Sequence, residues 1–216
     1  MRTYSPLATD EVKILLDELV GAALPDAYRR SMTQLGEAFG KSLNGTLSGI
    51  KHLLLICTNE DADFLARGVK DGIHSRKGPD VSVACFWNDR VKLEGKSDLQ
   101  FELAPIVRKY VEPGESDAFL VVKSIISTGC VVRTNITELI QERNPSRVLI
   151  FAPVIFKGAD NQLKDDFEPD IARRFEFFYF RRTPSGTTMA RLFQALEATS
   201  TNASGSRPRN AVTCLN

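Results

Sequence analysis

The spacing of apolar residues divides the chain into two regimes. In TDEVKILLDELVGAAL, Val12, Leu15, Leu16 and Leu19 recur at helical intervals, with Thr9 or Asp10 placed to cap the first turn. PDAYRRSMTQLGEAFGKSL repeats the pattern with Tyr28, Met32, Leu35, Phe39 and Leu43, and Pro25 falls in its first turn. Both stripes face a core. From His52 onward the rhythm shortens. HLLLIC predicts a strand, followed by a polar turn and a helix over 59–73. DVSVACFW predicts a second strand, ELAPIVRKYV a helix, and AFLVV a third strand that leads into a helix beginning near Cys130. RVLIFAPVIF and FEFFYF follow as further strands, with TTMARLFQALEA as a closing helix.

Short apolar strands alternating with helices predict a single α/β domain. The expected architecture is a mostly parallel central sheet of about five strands, with helices on both faces and an N-terminal helical layer. The divisions are 1–45 for the N-terminal helices packed on the core, 46–198 for the α/β core, and 199–216 for a tail. That tail, TSTNASGSRPRNAVTCLN, is polar and without period, and is expected to be disordered.

Composition removes several functions. Among 216 residues, 28 basic side chains nearly cancel 27 acidic ones, so no long-range field draws nucleic acid or an anionic membrane. No apolar run approaches the ~20 residues that span a bilayer. Acids in the opening MRTYSPLATDEVKILLDEL argue against a secretory leader and for a cytoplasmic protein. Cys57, Cys85, Cys130 and Cys214 show neither zinc spacing nor a disulfide framework, and no metal site is read from the sequence.

The candidate chemistry lies in DAFLVVKSIISTGCVVRTNITELI, a buried strand, a Ser-Thr-Gly turn and the start of a helix. Ligands of open parallel sheets bind beyond the carboxyl ends of the strands. A strand-to-helix turn there aims N–H groups and the positive end of a helix dipole outward, toward an anion. Ser127 and Thr128 add hydroxyls, and Gly129 permits a close approach or a positive φ. The same residue types also serve as ordinary turns and caps. Cys130 at the helix start is better explained as a small residue than as a reactive thiol.

The order apolar 119–122, Lys123-Ser124, Ile125-Ile126, Ser127-Thr128-Gly129, Cys130, Val131 resembles the phosphoribosyl diphosphate loop of the type I phosphoribosyltransferases. There an apolar strand precedes two acids, two apolar residues, Thr-Thr-Gly, a small residue and Thr or Ser. The likeness continues in the order of elements. YRRSMTQLGEAFGKSL resembles the helix before the first core strand of the uracil branch. LLLICTNEDADFLARGVKDGI occupies the place of the diphosphate-binding strand-turn-helix, and VLIFAPVIF that of the strand after the loop helix.

The resemblance implies the family's fold and a role in nucleotide metabolism. The ligand it implies is phosphoribosyl diphosphate or a nucleotide, with Mg2+ as a candidate ion. Carried over residue by residue, Ser127, Thr128, Gly129, Cys130 and Val131 would hold a phosphate. Lys123 and Ser124 stand where the family's acids hold ribose hydroxyls, and a protonated lysine accepts no hydrogen bond. Thr58 and Asn59 at the diphosphate turn are further candidate contacts. So are Arg90 and Lys92 in FWNDRVKLEGKSD, which falls where the family has a flexible lid and equally suits a solvated hairpin. Glu60 and Asp61 would repel a diphosphate, and suit instead the first turn of a helix capped by Thr58 or Asn59. No catalytic residue is assigned. IFKGADNQLKDDFEP, where a base would be recognised, carries no signature of the uracil branch. Three functions stay open: a transferase acting on a base, a ligand sensor that has lost turnover, and a scaffold for a partner protein. A homodimer is equally open. On the degenerate view, acids restored at 123 and 124 would help activity.

Overall fold

The computed structural model describes residues 3–21, 25–76, 78–89, 91–94 and 100–184, with the backbone alone at 20, 21, 91–94 and 100–102. At the centre five strands run parallel: β10 (Phe175–Thr183), β9 (Arg147–Phe156), β7 (Ala118–Val122), β2 (His52–Thr58) and β3 (Asp80–Asn88). They are the five apolar runs of the sequence. β2 shows why such runs suit a buried strand. Leu53, Leu55 and Cys57 enter the core on one face, and Leu54 and Ile56 the core on the other.

Among the described residues the sheet is larger than expected, with eight strands. β1 (Thr3–Tyr4) pairs antiparallel with β10, β6 (Ile106–Val111) pairs antiparallel with β3, and β8 (Ile125–Ile126) extends along β9. The helix expected over ELAPIVRKYV is absent. Its residues form the end of β5 (Gln100–Leu103), the Ala104-Pro105 linker and β6. Pro105 disfavours helical backbone at the residue before it, and β-branched and aromatic residues follow. The open edge of β3 then supplies the hydrogen bonds. β4 (Val91–Glu94) pairs antiparallel with β5 as a separate two-stranded hairpin.

Helices cover both faces, as expected. On one lie α1 (Asp10–Gly21), α2 (Pro25–Ser42) and a continuous helix made of α3 (Asn59–Asp61), a π-helical stretch (Ala62–Ala66) and α4 (Arg67–His74). On the other lie α5 (Cys130–Arg143), α6 (Ala159–Asp165) and α7 (Pro169–Ala172). Phe39 of α2 stacks on Phe151 of β9 with ring centroids 3.6 Å apart. α2 and α4 meet through Gly36 and Gly40 on one side and Gly68 and Gly72 on the other. A Cβ on Gly68 would stand 2.1 Å from the Thr33 carbonyl oxygen, so the backbones touch where side chains would part them. This seam fixes the helix that carries Glu60 and Asp61.

No helix among the described residues is long and apolar enough to cross a membrane. The closing helix expected over TTMARLFQALEA and the tail from 199 lie outside the described residues.

Candidate functional site

β7 lies between β2 and β9, with Cys57 in register with Val122. The segments that leave these two strands, 58–61 and 123–129, therefore meet at the carboxyl edge of the sheet.

What joins them is a buried ion pair. Lys123 is 3% exposed, and its Nζ donates to Asp61 Oδ2 at 2.8 Å, to Ser124 Oγ at 3.2 Å and to Glu60 Oε2 at 3.5 Å. Asp61, also 3% exposed, takes the Thr58 hydroxyl on Oδ2 at 2.8 Å and the Ser124 backbone N–H on Oδ1 at 3.1 Å. A lone buried charge costs several kcal/mol, and it persists only when paired and hydrogen-bonded, as here. The departures at Lys123 and Ser124 and those at Glu60 and Asp61 are thus one compensated feature. Its trace in the sequence is an acid pair after one strand and a lysine after the strand beside it.

The cap differs from expectation. Thr58 occupies the N-cap position in extended backbone, φ −91° and ψ 160°, but makes no capping bond. Its hydroxyl is drawn to the Asp61 carboxylate, the stronger acceptor. Asn59 and Glu60 are half-buried beside it.

The Ser-Thr-Gly turn follows β8 and opens α5. Ser127 and Thr128 are half-buried, and Gly129 takes the left-handed conformation with φ +76°. Its carbonyl accepts the Arg133 N–H at 2.8 Å, opening α5. Cys130 and Val131 are buried, packed with Ala104 from the linker after the hairpin. Asn88 and Asn135 exchange hydrogen bonds of 2.9 and 3.1 Å, and Asn88 also donates to the Ala104 carbonyl at 3.1 Å. The base of the hairpin is so fastened over the first turns of α5. The recess lined by Lys123 and 125–132 measures about 20 Å³, room for roughly one water or one phosphoryl oxygen. Of the other candidates, Lys92 lies in β4 opposite Glu102, and Arg90 falls outside the described residues.

Cys57 ends in the same corner. The Cys85 thiol beside it, complete burial, and the carboxylates of Asp61 and Asp63 hold its own thiol well above the ordinary range. It stays protonated and unreactive.

Magnesium fits this corner poorly. An ammonium stands where a hard cation would need an oxygen, and both Asp61 oxygens carry donors. Among the described residues no group of three or more His, Cys, Asp or Glu side chains could hold a metal ion.

No family model and no curated protein matches the sequence. Among solved structures, the AQ2163 protein of Aquifex aeolicus is similar at TM-score 0.62 and 12% identity, over 82% of this chain and 86% of its own. Looser likenesses include a hypoxanthine phosphoribosyltransferase of Staphylococcus aureus (TM-score 0.44, 17% identity, 71% of this chain and 73% of that one). Another is the hypoxanthine phosphoribosyltransferase of Trypanosoma cruzi in complex with the product IMP (TM-score 0.43, 12% identity, 80% and 79%). The first likeness is one of fold. These two are hypoxanthine phosphoribosyltransferases by name, at a similarity that fixes neither branch nor ligand.

Proposed function

We propose that this protein is a phosphoribosyltransferase-like binding protein of the cytoplasm. It seats the phosphate of a small ligand, a phosphorylated ribose or a nucleotide, on residues 127–131, and it does not transfer the ribosyl group. The observation that carries this is the buried Lys123–Asp61 pair. Transfer in the resembled family relies on carboxylates at positions 123 and 124 that accept ribose hydroxyls. Here position 123 only donates, and Asp61 already accepts from Lys123, Thr58 and the Ser124 backbone. The phosphate seat is supported by its place beyond the central strands, by the left-handed turn at Gly129 and by the N-terminus of α5.

The test is calorimetric titration with ribose 5-phosphate, alongside an assay for diphosphate release from phosphoribosyl diphosphate with a panel of bases. Binding without release is expected. Ser127→Asp, which sets a carboxylate at the half-buried mouth, should weaken binding by about tenfold or more through like-charge repulsion. Brisk diphosphate release from the wild type would overturn the loss of transfer. Failure to bind ribose 5-phosphate would overturn the seat and leave a scaffold.

A further inference from the structure

The opposite end of the sheet holds a much larger opening than the recess beside α5. A cleft of about 500 Å³ lies where β2 and β3 begin, against the ends of α2 and α4. That volume falls within the range of small-ligand sites, ~300–1,000 Å³. Buried Leu47 and Ile73 and half-buried Ile50 give it an apolar side. Exposed Lys51, His52 and Arg76 line it too, against one acid, Asp80.

The fold does not use the charges of Lys51 and Arg76. Arg147 and Arg182 are held by Glu176 and Asp160 at 2.6 and 2.7 Å. Among the described residues neither the Lys51 nor the Arg76 side chain has such a carboxylate. Nor is Arg76 needed to close α4, whose last carbonyls are answered already. The Asp71 carbonyl accepts the Ser75 N–H, Gly72 the Ser75 hydroxyl, and Ile73 the N–H groups of Arg76 and Gly78. At the end of α2 the Phe39 carbonyl accepts the Ser42 hydroxyl and the Gly40 carbonyl the Leu43 N–H. Two cations without a structural partner therefore border an apolar cleft.

We propose that this cleft is a ligand site of its own, separate from the Ser-Thr-Gly turn, for a small hydrophobic carboxylic acid. Its hydrocarbon body packs on Leu47, Ile50 and Ile73, and its carboxylate meets Lys51 and the fork of Arg76, which can hold both oxygens.

The probe is 1-naphthoate, and 1-naphthamide, uncharged and of nearly the same shape, is its control. Each is titrated into the isotope-labelled full chain and followed by the shifts of backbone amides. The shifts should map to 44–52 and 73–80, and the acid should bind at least about fivefold more tightly than the amide. Lys51→Gln and Arg76→Gln, both at exposed positions, should each weaken the acid by about two- to fivefold and leave the amide unchanged. No binding of 1-naphthoate, or shifts confined to other surfaces such as 127–131, would overturn the site. Equal affinity for acid and amide, or an affinity for the acid unmoved in both variants, would overturn the role given to the cations.

Discussion

Asp61 accepts three hydrogen bonds, from Lys123, Thr58 and the Ser124 backbone, in a space closed to solvent. The pair is therefore asymmetric under mutation. Lys123→Met keeps the bulk of the stem but strands a buried carboxylate, and should destabilise the protein by about 3–5 kcal/mol. Lys123→Met/Asp61→Leu removes both charges and should regain much of that loss. Urea unfolding of the two variants checks this, and a double variant as unstable as the single one would contradict it. The geometry also revises the expected benefit of acids restored at 123 and 124. An aspartate at 123 would set a carboxylate against Asp61 and Glu60 in place of the ammonium that now bonds to both, so restoration requires changing the β2 turn as well. From the sequence the four anomalous residues are visible, each departing from one pattern. Their mutual cancellation is not, because Lys123 and Asp61 are 62 residues apart and meet only through the parallel pairing of β2 with β7.

At the scale of elements, the helix that presents Glu60 and Asp61 is positioned by bare backbone against α2. A methyl group on Gly68 would lie 2.1 Å from the Thr33 oxygen, an atom of a helix backbone that cannot swing aside. Gly68→Ala should therefore cost about 3 kcal/mol, near the upper end for overpacking, despite alanine's better helix propensity. Gly45→Ala, where an added Cβ meets nothing within 4 Å, is the control and should shift the thermal midpoint little. A tolerated Gly68→Ala would mean that the two helices can part. Neither the seam nor the π-helical stretch was legible in the sequence, since the glycines simply fall within amphipathic patterns. The five parallel strands were legible because each is a short run buried on both faces. β6 was not. Its Arg108 and Lys109 are exposed on an edge strand, and alternation with them mimics a helical stripe. β1, with two residues, is too short to show any period.

For the whole molecule, polar networks tie the strands together at both ends of the sheet. The carboxyl edge holds the ion pair and the Ser-Thr-Gly turn. At the amino edge, exposed Asp117 gathers three strands. Its Oδ2 accepts the backbone N–H groups of Lys51 and His52, both at 2.9 Å, and its own N–H donates to the His52 carbonyl. Its carbonyl receives Ser146 from the start of β9. The His52 and Lys51 N–H groups hold its carboxyl below the ordinary value of 3.8. A carboxyl with a depressed native pKa binds its proton more readily in the unfolded chain, so its stabilisation is complete above 3.8 and fades as pH falls through the native value. Asp117→Asn keeps one acceptor oxygen and loses the charge. The thermal midpoint of wild type should exceed that of Asp117→Asn at neutral pH, and the gap should close as the solution is acidified below 3.8. Affinity for ribose 5-phosphate at neutral pH should be the same in both, because the substitution lies at the opposite end of β2 and β7 from the loop. A gap constant with pH would show that the Asp117 carboxylate does not act through its charge. A loss of affinity would show that the two ends of the sheet are coupled.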